Sequence, residues 1–361
     1  MKNILVTGGA GFIGANFVRY LLQQDPNIRV INVDALTYAG SLANLQALPN
    51  PENHLFIKGD ICDAQLISNL FNSYSIDTVV HFAAESHVDR SITGPGQFIQ
   101  TNIVGTFTLL ECARQNWLIN KIVAPESTKF HHVSTDEVFG SLHPTDPPFS
   151  ENTAYAPRSP YSASKAASDH LVRAYGHTYN LPITITNCTN NYGPLQFPEK
   201  LIPLMILNAI SGKPLPIYGD GMQIRDWLYV EDHCQAIYEV LKNGKTGETY
   251  AIGGNNQPAN IEIVKIICEI LDDLLPDSPN KPHASLISYV TDRPGHDRRY
   301  AMDISKIQTE LGWQPKQNLR SGLEKTIQWY LNHPEWVTAI QSQSDFQNWL
   351  QNNYSQRGMQ Q

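Results

Sequence analysis

The chain has 361 residues, of which 41% are hydrophobic, and its formal net charge at pH 7 is −8. This length and apolar content indicate one large or two ordinary globular domains and exclude a disordered chain. The acidic balance argues against a nucleic-acid-binding protein, which needs a basic face. Neither an apolar run long enough to span a membrane nor a secretory leader pattern is found. Five scattered cysteines show no metal or disulfide spacing, so we expect a cytoplasmic protein without a metal site.

Short apolar runs alternate with longer amphipathic segments over the first 190 residues. The pattern predicts strands over residues 3–8, 28–34, 55–60, 77–84, 129–134 and 182–188, and helices over 13–25, 103–115 and 163–180. Nearly continuous apolar strands that alternate with helices are typical of a parallel sheet covered on both faces. The predicted fold class is therefore α/β, a Rossmann-type doubly wound parallel sheet with a smaller mixed α/β C-terminal lobe for substrate.

Prolines and glycines become denser after about residue 190, which indicates a change of domain. We expect the Rossmann domain to span residues 1–187 and to include a later segment, at about 226–252, in which the chain returns to it. Residues 188–225 and 253–330 would form the smaller lobe. Residues 331–361 would form a C-terminal extension that ends in a Gln-rich, weakly ordered tail.

A glycine-rich segment, VTGGAGFIG, follows the first predicted strand and leads into the first predicted helix. Gly9, Gly11 and Gly14 satisfy GxGxxG, and Gly8 adds a further glycine at the turn. Glycines there permit a tight turn and let backbone amides approach a pyrophosphate. Asp34 ends the second strand 20 residues after Gly14, where a carboxylate accepts hydrogen bonds from ribose hydroxyls. The segment therefore predicts a dinucleotide site that prefers NAD to NADP.

Tyr161 and Lys165 lie four residues apart in YSASK, which places them on one face of the predicted helix. A phenol is a poor base at neutral pH, but a neighbouring ammonium group and a positively charged nicotinamide favour the phenolate. We therefore expect Lys165 to lower the pKa of Tyr161. The phenolate would then accept a proton from a sugar hydroxyl as hydride leaves the same carbon.

Two adjacent carboxylates, Asp136 and Glu137, follow the predicted strand 129–134. Neighbouring residues of a strand point to opposite faces, so both acids can face one ligand only where the strand ends and the backbone turns. One acid and one base at such a site suit the elimination of water beside a ketone. Oxidation at C4 of a hexose makes the C5 proton acidic, a base removes it, and an acid protonates the leaving C6 hydroxyl.

Several motifs resemble the extended short-chain dehydrogenase/reductase family, and within it the dTDP-glucose 4,6-dehydratases, over roughly residues 1–330. They include TGGAGFIG, DALTYAG, FAAESHVDRSI, STDEVFGS, YSASKAASDHLVRAY, NNYGPLQFPEKLIPLMI, GDGMQIRDWLYVEDH and DRPGHDRRYAMD. The resemblance implies Asp136 as the acid and Glu137 as the base for water loss, with Thr135 bonded to the sugar. It also implies Tyr161 as the base for C4 oxidation and Lys165 on the nicotinamide ribose.

The resemblance also implies the remaining binding residues. The cofactor would be contacted by Gly8, Gly11, Phe12, Ile13, Gly14, Asp34, Ala35, Leu36, Thr37, Asp60, Ile61, Ala83, Ala84, Thr101, Tyr161, Lys165 and Asn191. The nucleotide sugar would be contacted by Ser86, Thr135, Asn190, Lys200, Leu201, Pro216, Ile217, Tyr218, Arg225, Asn260, Arg293 and His296. Among them, Lys200, Arg225 and Arg293 are the cations that a diphosphate needs in an acidic protein.

Three functions remain open at this stage. The first is NAD-dependent dehydration of dTDP-glucose, with the cofactor tightly bound and regenerated in each turnover. The second is a related 4,6-dehydratase or a 4-epimerase that acts on a UDP- or GDP-sugar, although an epimerase has no use for the acid pair. The third is a cofactor-binding protein without activity, which the retained tyrosine, lysine and acids disfavour. The resemblance further implies a homodimer formed by helices near 98–115 and 162–178. The apolar residues of these helices suit such a contact and equally suit an ordinary core; they are Phe107, Leu110, Leu171 and Tyr175.

Overall fold

The computed structural model of the chain describes residues 1–292 and 296–342. The strands are β1 Asn3–Thr7, β2 Arg29–Asp34, β3 His54–Lys58, β4 Thr78–His81, β5 Lys129–Thr135, β6 Ile183–Cys188, β7 Asn190–Tyr192, β8 Leu215–Tyr218, β9 Trp227–Tyr229, β10 Thr249–Ile252 and β11 Ile287–Val290. The helices are α1 Phe12–Gln24, α2 Ala64–Tyr74, α3 Val88–Thr93, α4 Pro95–Phe98, α5 Thr106–Ala113, α6 Pro160–Tyr179, α7 Leu201–Ile210, α8 Val230–Asn243, α9 Asn260–Leu274, α10 Ser305–Leu311, α11 Leu319–Asn332 and α12 Pro334–Gln341.

A seven-stranded sheet forms the centre of the larger lobe, in the order β10-β6-β5-β4-β1-β2-β3 with every pair parallel. Its inner strands are almost entirely buried, because helices cover both faces. The predicted Rossmann-type fold class is confirmed. The strand order reverses between β1 and β4, and ligands of open α/β sheets bind at that reversal, beyond the carboxyl ends of the strands.

The predicted strands and helices are present, with small shifts at their ends. The predicted helix 103–115 is α5 flanked by two π-helical stretches, Ile99–Gly105 and Arg114–Ile119. The predicted helix 163–180 starts earlier, at Pro160, because Ser159 and Ser162 form a capping box at its N-terminus.

The smaller lobe is built from later segments of the chain. It contains two two-stranded parallel sheets, β8 with β11 and β7 with β9, together with α7, α9 and α11. The predicted return segment contains α8 and β10, and β10 extends the large sheet beside β6. Helix α12 falls in the predicted C-terminal extension, and residues 343–361 of the predicted Gln-rich tail lie outside the described residues. The exact division into domains stays a prediction.

Candidate active site

A cleft with a cavity of about 340 Å³ opens beyond the carboxyl ends of β1, β2, β4 and β5. It lies where the strand order reverses, the position expected for a ligand of this fold. The glycine segment, the acid pair and the Tyr161–Lys165 pair all line this one cleft. Residues from three separate parts of the sequence therefore meet at a single site.

The glycine segment forms one wall of the cleft and has the close packing that its glycines predict. Gly8 has φ +71°, and a Cβ there would approach the backbone nitrogen of Ala83 to 2.6 Å. A Cβ on Gly14 would come within 2.2 Å of the Gly8 carbonyl oxygen, so helix α1 packs directly on the turn. Gly11 precedes the first turn of α1, which has no side-chain cap and no acidic residue. The backbone amides of that turn favour an anionic group.

Asp34 stands at the end of β2, opposite the glycine segment. Its Oδ2 accepts a hydrogen bond from the Ala10 amide at 2.9 Å, and its Oδ1 accepts one from the Leu36 amide at 2.8 Å. Burial raises the pKa of Asp34, and these backbone amides partly oppose the shift. The carboxylate is thus fixed in place with lone pairs still available to ribose hydroxyls. Asp60 lines the same end of the cleft and caps its own turn through the Cys62 amide.

The acid pair owes its position to the end of β5. The strand stops at Thr135, and a 3₁₀-helix over Asp136–Phe139 begins at once, with the Thr135 hydroxyl accepting from the Glu137 amide. Asp136 is 2% exposed. Burial, and secondly the charge of Glu137, raise the pKa of Asp136 well above its usual value. Asp136 therefore holds a proton at pH values where an exposed aspartate has lost it, as a general acid requires.

Helix α6 presents Tyr161 and Lys165 to the cleft from one face, and both side chains are buried. The Lys165 ammonium donates to the Val133 carbonyl oxygen at 2.9 Å, which holds it beside the end of β5. Tyr161 packs edge-on against Phe98, with 6.2 Å between ring centroids. The predicted placement of this pair on one helical face beside the acids is what the structure shows.

The prediction that Lys165 and a bound nicotinamide lower the pKa of Tyr161 stays a prediction, because the groups of the protein itself act mainly in the other direction. Burial raises the pKa of Tyr161 well above its usual value, and the charge of Glu137 adds to the shift. Among the protein groups, a hydrogen bond with Thr135 acts in the opposite direction. The Lys165 ammonium donates to the Val133 carbonyl oxygen, and burial lowers the pKa of Lys165.

Behind Lys165 lies a buried polar network that the sequence did not reveal. The Asp169 carboxylate, one turn further along α6, accepts hydrogen bonds from the hydroxyls of Ser134 at 2.8 Å and Tyr155 at 2.7 Å. Its other oxygen lies 3.1 Å from His132 Nε2, which is 3.4 Å from Lys165 Nζ. Burial lowers the pKa of Lys165, and the charge of Asp169 raises it in opposition. Asp169 thus helps to keep the buried lysine charged.

Most residues implied by the family resemblance line the cleft. Those that line it are Gly8, Gly11, Phe12, Ile13, Gly14, Asp34, Ala35, Thr37, Asp60, Ile61, Ala83, Ala84, Ser86, Thr101, Thr135, Asp136, Glu137, Tyr161, Lys165, Asn190, Asn191 and Lys200. Leu36 lies beside the cleft, in a left-handed conformation with φ 53°. Leu201 begins α7 directly after Lys200.

The other implied substrate residues gather in the smaller lobe. Pro216, Ile217 and Tyr218 lie on β8, where the Ile217 side chain is part of the core. His296 packs edge-on against Tyr218 and lies 2.7 Å from an Asp292 oxygen. Asn260 begins α9 and has a buried side-chain oxygen without a partner among the described residues. Arg293 lies outside the described residues.

Arg225 connects these smaller-lobe residues with the acid pair. It is 6% exposed, donates to the carbonyl oxygens of Ile224 and Asp297, and its guanidinium lies 4.4 Å from the centre of the Tyr300 ring. Its charge lowers the pKa of Asp136, against the dominant effect of burial. The charge of Arg225 thus acts on the acid pair from the smaller lobe.

Sequence reasoning missed several residues that line the cleft. They are Tyr38, Glu85, Gln97, Cys188, Thr189, Gln196, Phe197 and Glu199. Four of them adjoin predicted residues. Tyr38 follows Thr37 and Glu85 precedes Ser86, while Thr189 precedes Asn190 and Glu199 precedes Lys200. For these residues, the position next to a predicted site residue was the signal by which the sequence could have identified them. Gln196 had none, because its side chain reaches the cleft only through the packing of the segment after β7.

Buried polar atoms in the cleft show that it suits a polar ligand. The described residues offer no hydrogen-bond partner to Asp136 Oδ2, Thr189 Oγ1 or Asn190 Oδ1. Buried polar groups are usually hydrogen-bonded, so such atoms aimed into one cavity are expected to bind a ligand with hydroxyl or amide groups. Together with the glycine segment and Asp34, they fit a dinucleotide next to a sugar.

The chain is similar to known proteins over most of its length. The model of the GDP-mannose 4,6 dehydratase family matches residues 5–326. A dTDP-glucose 4,6-dehydratase of Shigella flexneri is 55% identical over 362 residues, covering 98% of this chain and 99% of that protein. The crystal structure of a dTDP-glucose 4,6-dehydratase of Bacillus anthracis in complex with NAD is 46% identical, with a TM-score of 0.82, and covers 94% of this chain and 100% of that one. A Streptomyces venezuelae dTDP-glucose 4,6-dehydratase with NAD and TYD, a dTDP ligand, bound is 45% identical, with a TM-score of 0.83 over 94% of this chain and 99% of that one.

Proposed function

The chain belongs to the nucleotide-sugar dehydratase family of GDP-mannose 4,6-dehydratase, and we propose that it is an NAD-dependent hydro-lyase that converts dTDP-glucose to dTDP-4-dehydro-6-deoxyglucose. The observation that carries the proposal is the meeting of Asp136, Glu137, Tyr161 and Lys165 in one cleft with the glycine segment. The identities of the nucleotide, dTDP, and of the sugar, glucose, are taken from the names of the relatives reported above. Homologues and structural neighbours named for this activity, two of them crystallised with NAD, support it.

NAD fits the residues of the cleft. The amides at the start of α1 would hold its pyrophosphate, Asp34 its adenosine ribose, and Lys165 its second ribose. When bound, NAD supplies an acceptor for the hydride of the sugar C4 and a donor to C6, so that it is regenerated in each turnover. The protein need only orient the sugar between this cofactor and the acid pair.

The side chains divide the proton transfers among them. Tyr161 accepts the proton of the C4 hydroxyl while the C4 hydride leaves, giving a ketone at C4. Because burial raises the pKa of the Tyr161 phenol, this step requires that the charges of Lys165 and of the nicotinamide favour the phenolate. Glu137 removes the acidified C5 proton, and Asp136 protonates the C6 hydroxyl, so that one water leaves. The raised pKa of Asp136 supports its role as the acid. When hydride arrives at C6, Glu137 returns a proton to C5, and exchange with solvent removes the proton from Tyr161 and restores one to Asp136. Each such proton-transfer group contributes about 10²–10⁴-fold in rate.

A 4-epimerase or a dehydratase of a UDP- or GDP-sugar is the alternative to be tested. The protein should be incubated separately with dTDP-glucose, UDP-glucose and GDP-mannose, and the products identified by mass and NMR. We expect loss of one water from dTDP-glucose, with no net consumption of NAD. Inversion at C4 without loss of water would make the protein an epimerase. Faster turnover of UDP-glucose or GDP-mannose would refute the assignment of the nucleotide.

We also propose that the enzyme is a homodimer that works in the cytoplasm. Ile99, Val104 and Phe107 expose 48%, 37% and 46% of their surface on the stretch from 99 to 113. Leu110 and Tyr175, for which the sequence left a dimer contact and an ordinary core equally open, are buried in the chain's own core. All five cysteines are free thiols, which suits a reducing compartment. In the part of the chain that the structure describes, no helix has the length and hydropathy to cross a membrane.

A further inference from the structure

Two helices close to the end of the described chain, α11 and α12, contact both walls of the cleft through buried polar side chains. We call these two helices the C-terminal brace. Helix α12 places Trp336, 6% exposed, against the larger lobe, and its Nε1 donates a hydrogen bond to Asn44 Oδ1 at 2.8 Å. The two residues are 292 positions apart in sequence. Their bond joins the last described helix to the segment that follows β2.

Asn44 connects Trp336 with the glycine segment through a second hydrogen bond. It is 2% exposed, and its Nδ2 donates to the Ala10 carbonyl oxygen at 2.8 Å. The side-chain oxygen of Asn44 thus accepts from Trp336, and the side-chain nitrogen of Asn44 donates to Ala10. The Ser41 amide donates to the same Ala10 oxygen at 3.0 Å, and the Ala10 amide donates to Asp34. Both polar groups of Ala10 are thus held from outside the glycine segment.

The Ala10 carbonyl matters because a peptide unit is planar. Its plane includes the Gly11 amide, so a fixed Ala10 oxygen also fixes the orientation of the peptide that leads into α1. Gly11 is the N-cap of α1 and provides no side-chain cap. The amides of the first turn, which suit a pyrophosphate, therefore point in a direction that Asn44 and Trp336 help to set.

The brace also contacts the opposite wall. Tyr330 of α11 donates from its hydroxyl to the Gln196 carbonyl oxygen, and Gln196 Nε2 donates to the Asn191 carbonyl oxygen at 2.9 Å. Gln196 and Asn191 both line the cleft. Trp336 and Tyr330 pack edge-on against each other, with ring centroids 6.0 Å apart. One aromatic pair thus connects with both sides of the site.

We propose that Trp336 is a positioning residue for NAD, acting through Asn44 and the Ala10 carbonyl on the amides that bind the pyrophosphate. The inference rests on the proposed NAD site. Loss of the Trp336 donor leaves Asn44 Oδ1 buried and unpaired, so its amide loses the bond that fixes its orientation towards Ala10. The cofactor is then held by a less ordered turn and leaves faster.

The test uses the full chain loaded with NAD and measures the NAD that remains bound after separation from free cofactor at successive times. Trp336→Phe keeps a ring and removes one donor, and we expect it to release NAD roughly two- to tenfold faster, the range for one net hydrogen bond. Asn44→Leu should do the same. In the double variant, Trp336→Phe should add nothing to the effect of Asn44→Leu, because the connection is already broken.

Trp313→Phe is the matched control. Trp313 is 3% exposed, and its indole nitrogen has no partner among the described residues, so this change alters a buried ring without touching the chain of contacts. We expect the wild-type release rate from it, whatever its unfolding temperature. If Trp336→Phe does not fold, Asn44→Asp tests the second link, since it keeps the acceptor for Trp336 but loses the donor to Ala10, and faster release is again expected.

The outcomes separate this inference from the proposed function. A wild-type protein that binds no NAD would contradict the proposed function itself. A wild type that holds NAD, with Trp336→Phe or Asn44→Asp releasing it at the same rate, would overturn the inference alone. Equal acceleration by Trp313→Phe, or additive effects in the double variant, would also overturn it, because a general loss of stability would then explain the change.

Discussion

Asp136 and Glu137 are consecutive residues, yet both line one cleft, because β5 ends at Thr135 and a 3₁₀-helix begins at Asp136. In a continuing strand, one of the two carboxylates would face away from the cleft. Burial raises the pKa of Asp136, and the charge of Glu137 adds to the shift. The end of a single strand thus brings a protonated acid and a second carboxylate to the same site.

The acid pair should be needed for water loss but not for oxidation at C4. We expect Asp136→Asn and Glu137→Gln each to lower kcat by about 10²–10⁴-fold. In a single turnover with dTDP-glucose, reduced nicotinamide should then accumulate, as measured by absorbance, while little product forms. Tyr161→Phe provides the contrast, since it should form neither. A variant of either acid that showed wild-type elimination would remove that residue from the mechanism.

Burial of Asp136 should lower the free energy of unfolding increasingly as the pH rises. Its folded-state pKa is raised above the usual 3.8, so above about that pH the unfolded chain releases this proton more readily than the folded one. Asp136→Asn should therefore be more stable than wild type at neutral pH, with a difference that grows by about 1.4 kcal/mol per pH unit until the folded-state pKa is reached.

Denaturant unfolding of both proteins at a series of pH values measures this difference. The curves should converge as the pH falls below 3.8, where the carboxyl group becomes protonated in both states. Parallel curves, with no dependence of the difference on pH, would show that Asp136 titrates normally in the folded protein.

Asp169 should set the pH range in which Lys165 stays charged. Burial opposes ionisation of Asp169, but contacts with His132 and the charge of Lys165 hold the pKa of Asp169 at about 2. Removal of this negative charge by Asp169→Asn should lower the pKa of Lys165 further, because burial then acts with less opposition. The alkaline limb of the pH profile of kcat should therefore move to lower pH.

Asp169→Asn should also lower the free energy of unfolding by about 3 kcal/mol, since it leaves a buried cation without its counter-charge. Asp273→Asn is the control, because the Asp273 side chain is 77% exposed and should change neither property. A lower kcat at every pH, with the alkaline limb of the profile unshifted, would show that Asp169 stabilises the fold without setting the pKa of Lys165.

The apolar surface around Phe107 should hold two chains together. Phe107→Asp places a charge on a surface where Ile99 and Val104 are also exposed, so we expect a monomer in light scattering. Tyr289→Asp is the control, since Tyr289 is 62% exposed on β11 of the smaller lobe. A dimer that persists in Phe107→Asp, or a wild type that is already monomeric, would contradict the proposed interface.

Much of the larger lobe follows from local sequence signals. The alternation of apolar strands and amphipathic helices predicted the parallel sheet. The glycines after β1 predicted the turn that lines the cleft, and the YSASK segment predicted that Tyr161 and Lys165 share one helical face. These predictions succeeded because each depends on residues within one turn or one strand. The start of α6 was misplaced by three residues, since the capping pair Ser159 and Ser162 was not taken into account.

Other features depend on contacts between distant parts of the chain and could not be predicted in this way. The bond from Trp336 to Asn44 spans 292 positions, and no local pattern marks either residue. The burial that raises the pKa of Tyr161 was not foreseen, because the sequence shows the spacing to Lys165 but not the burial of the phenol or the direction of the ammonium group. Burial is a property of the whole fold.

The central claim is that hydride from C4 of the sugar reappears at C6 of the same molecule while water is lost between C5 and C6. Incubation of the enzyme with dTDP-glucose carrying deuterium at C4, followed by NMR of the product, tests it most directly. We predict one deuterium at C6 of a 4-keto-6-deoxy sugar. In heavy water, unlabelled substrate should instead gain deuterium at C5. Deuterium retained at C4, or lost to solvent without reaching C6, would contradict the account.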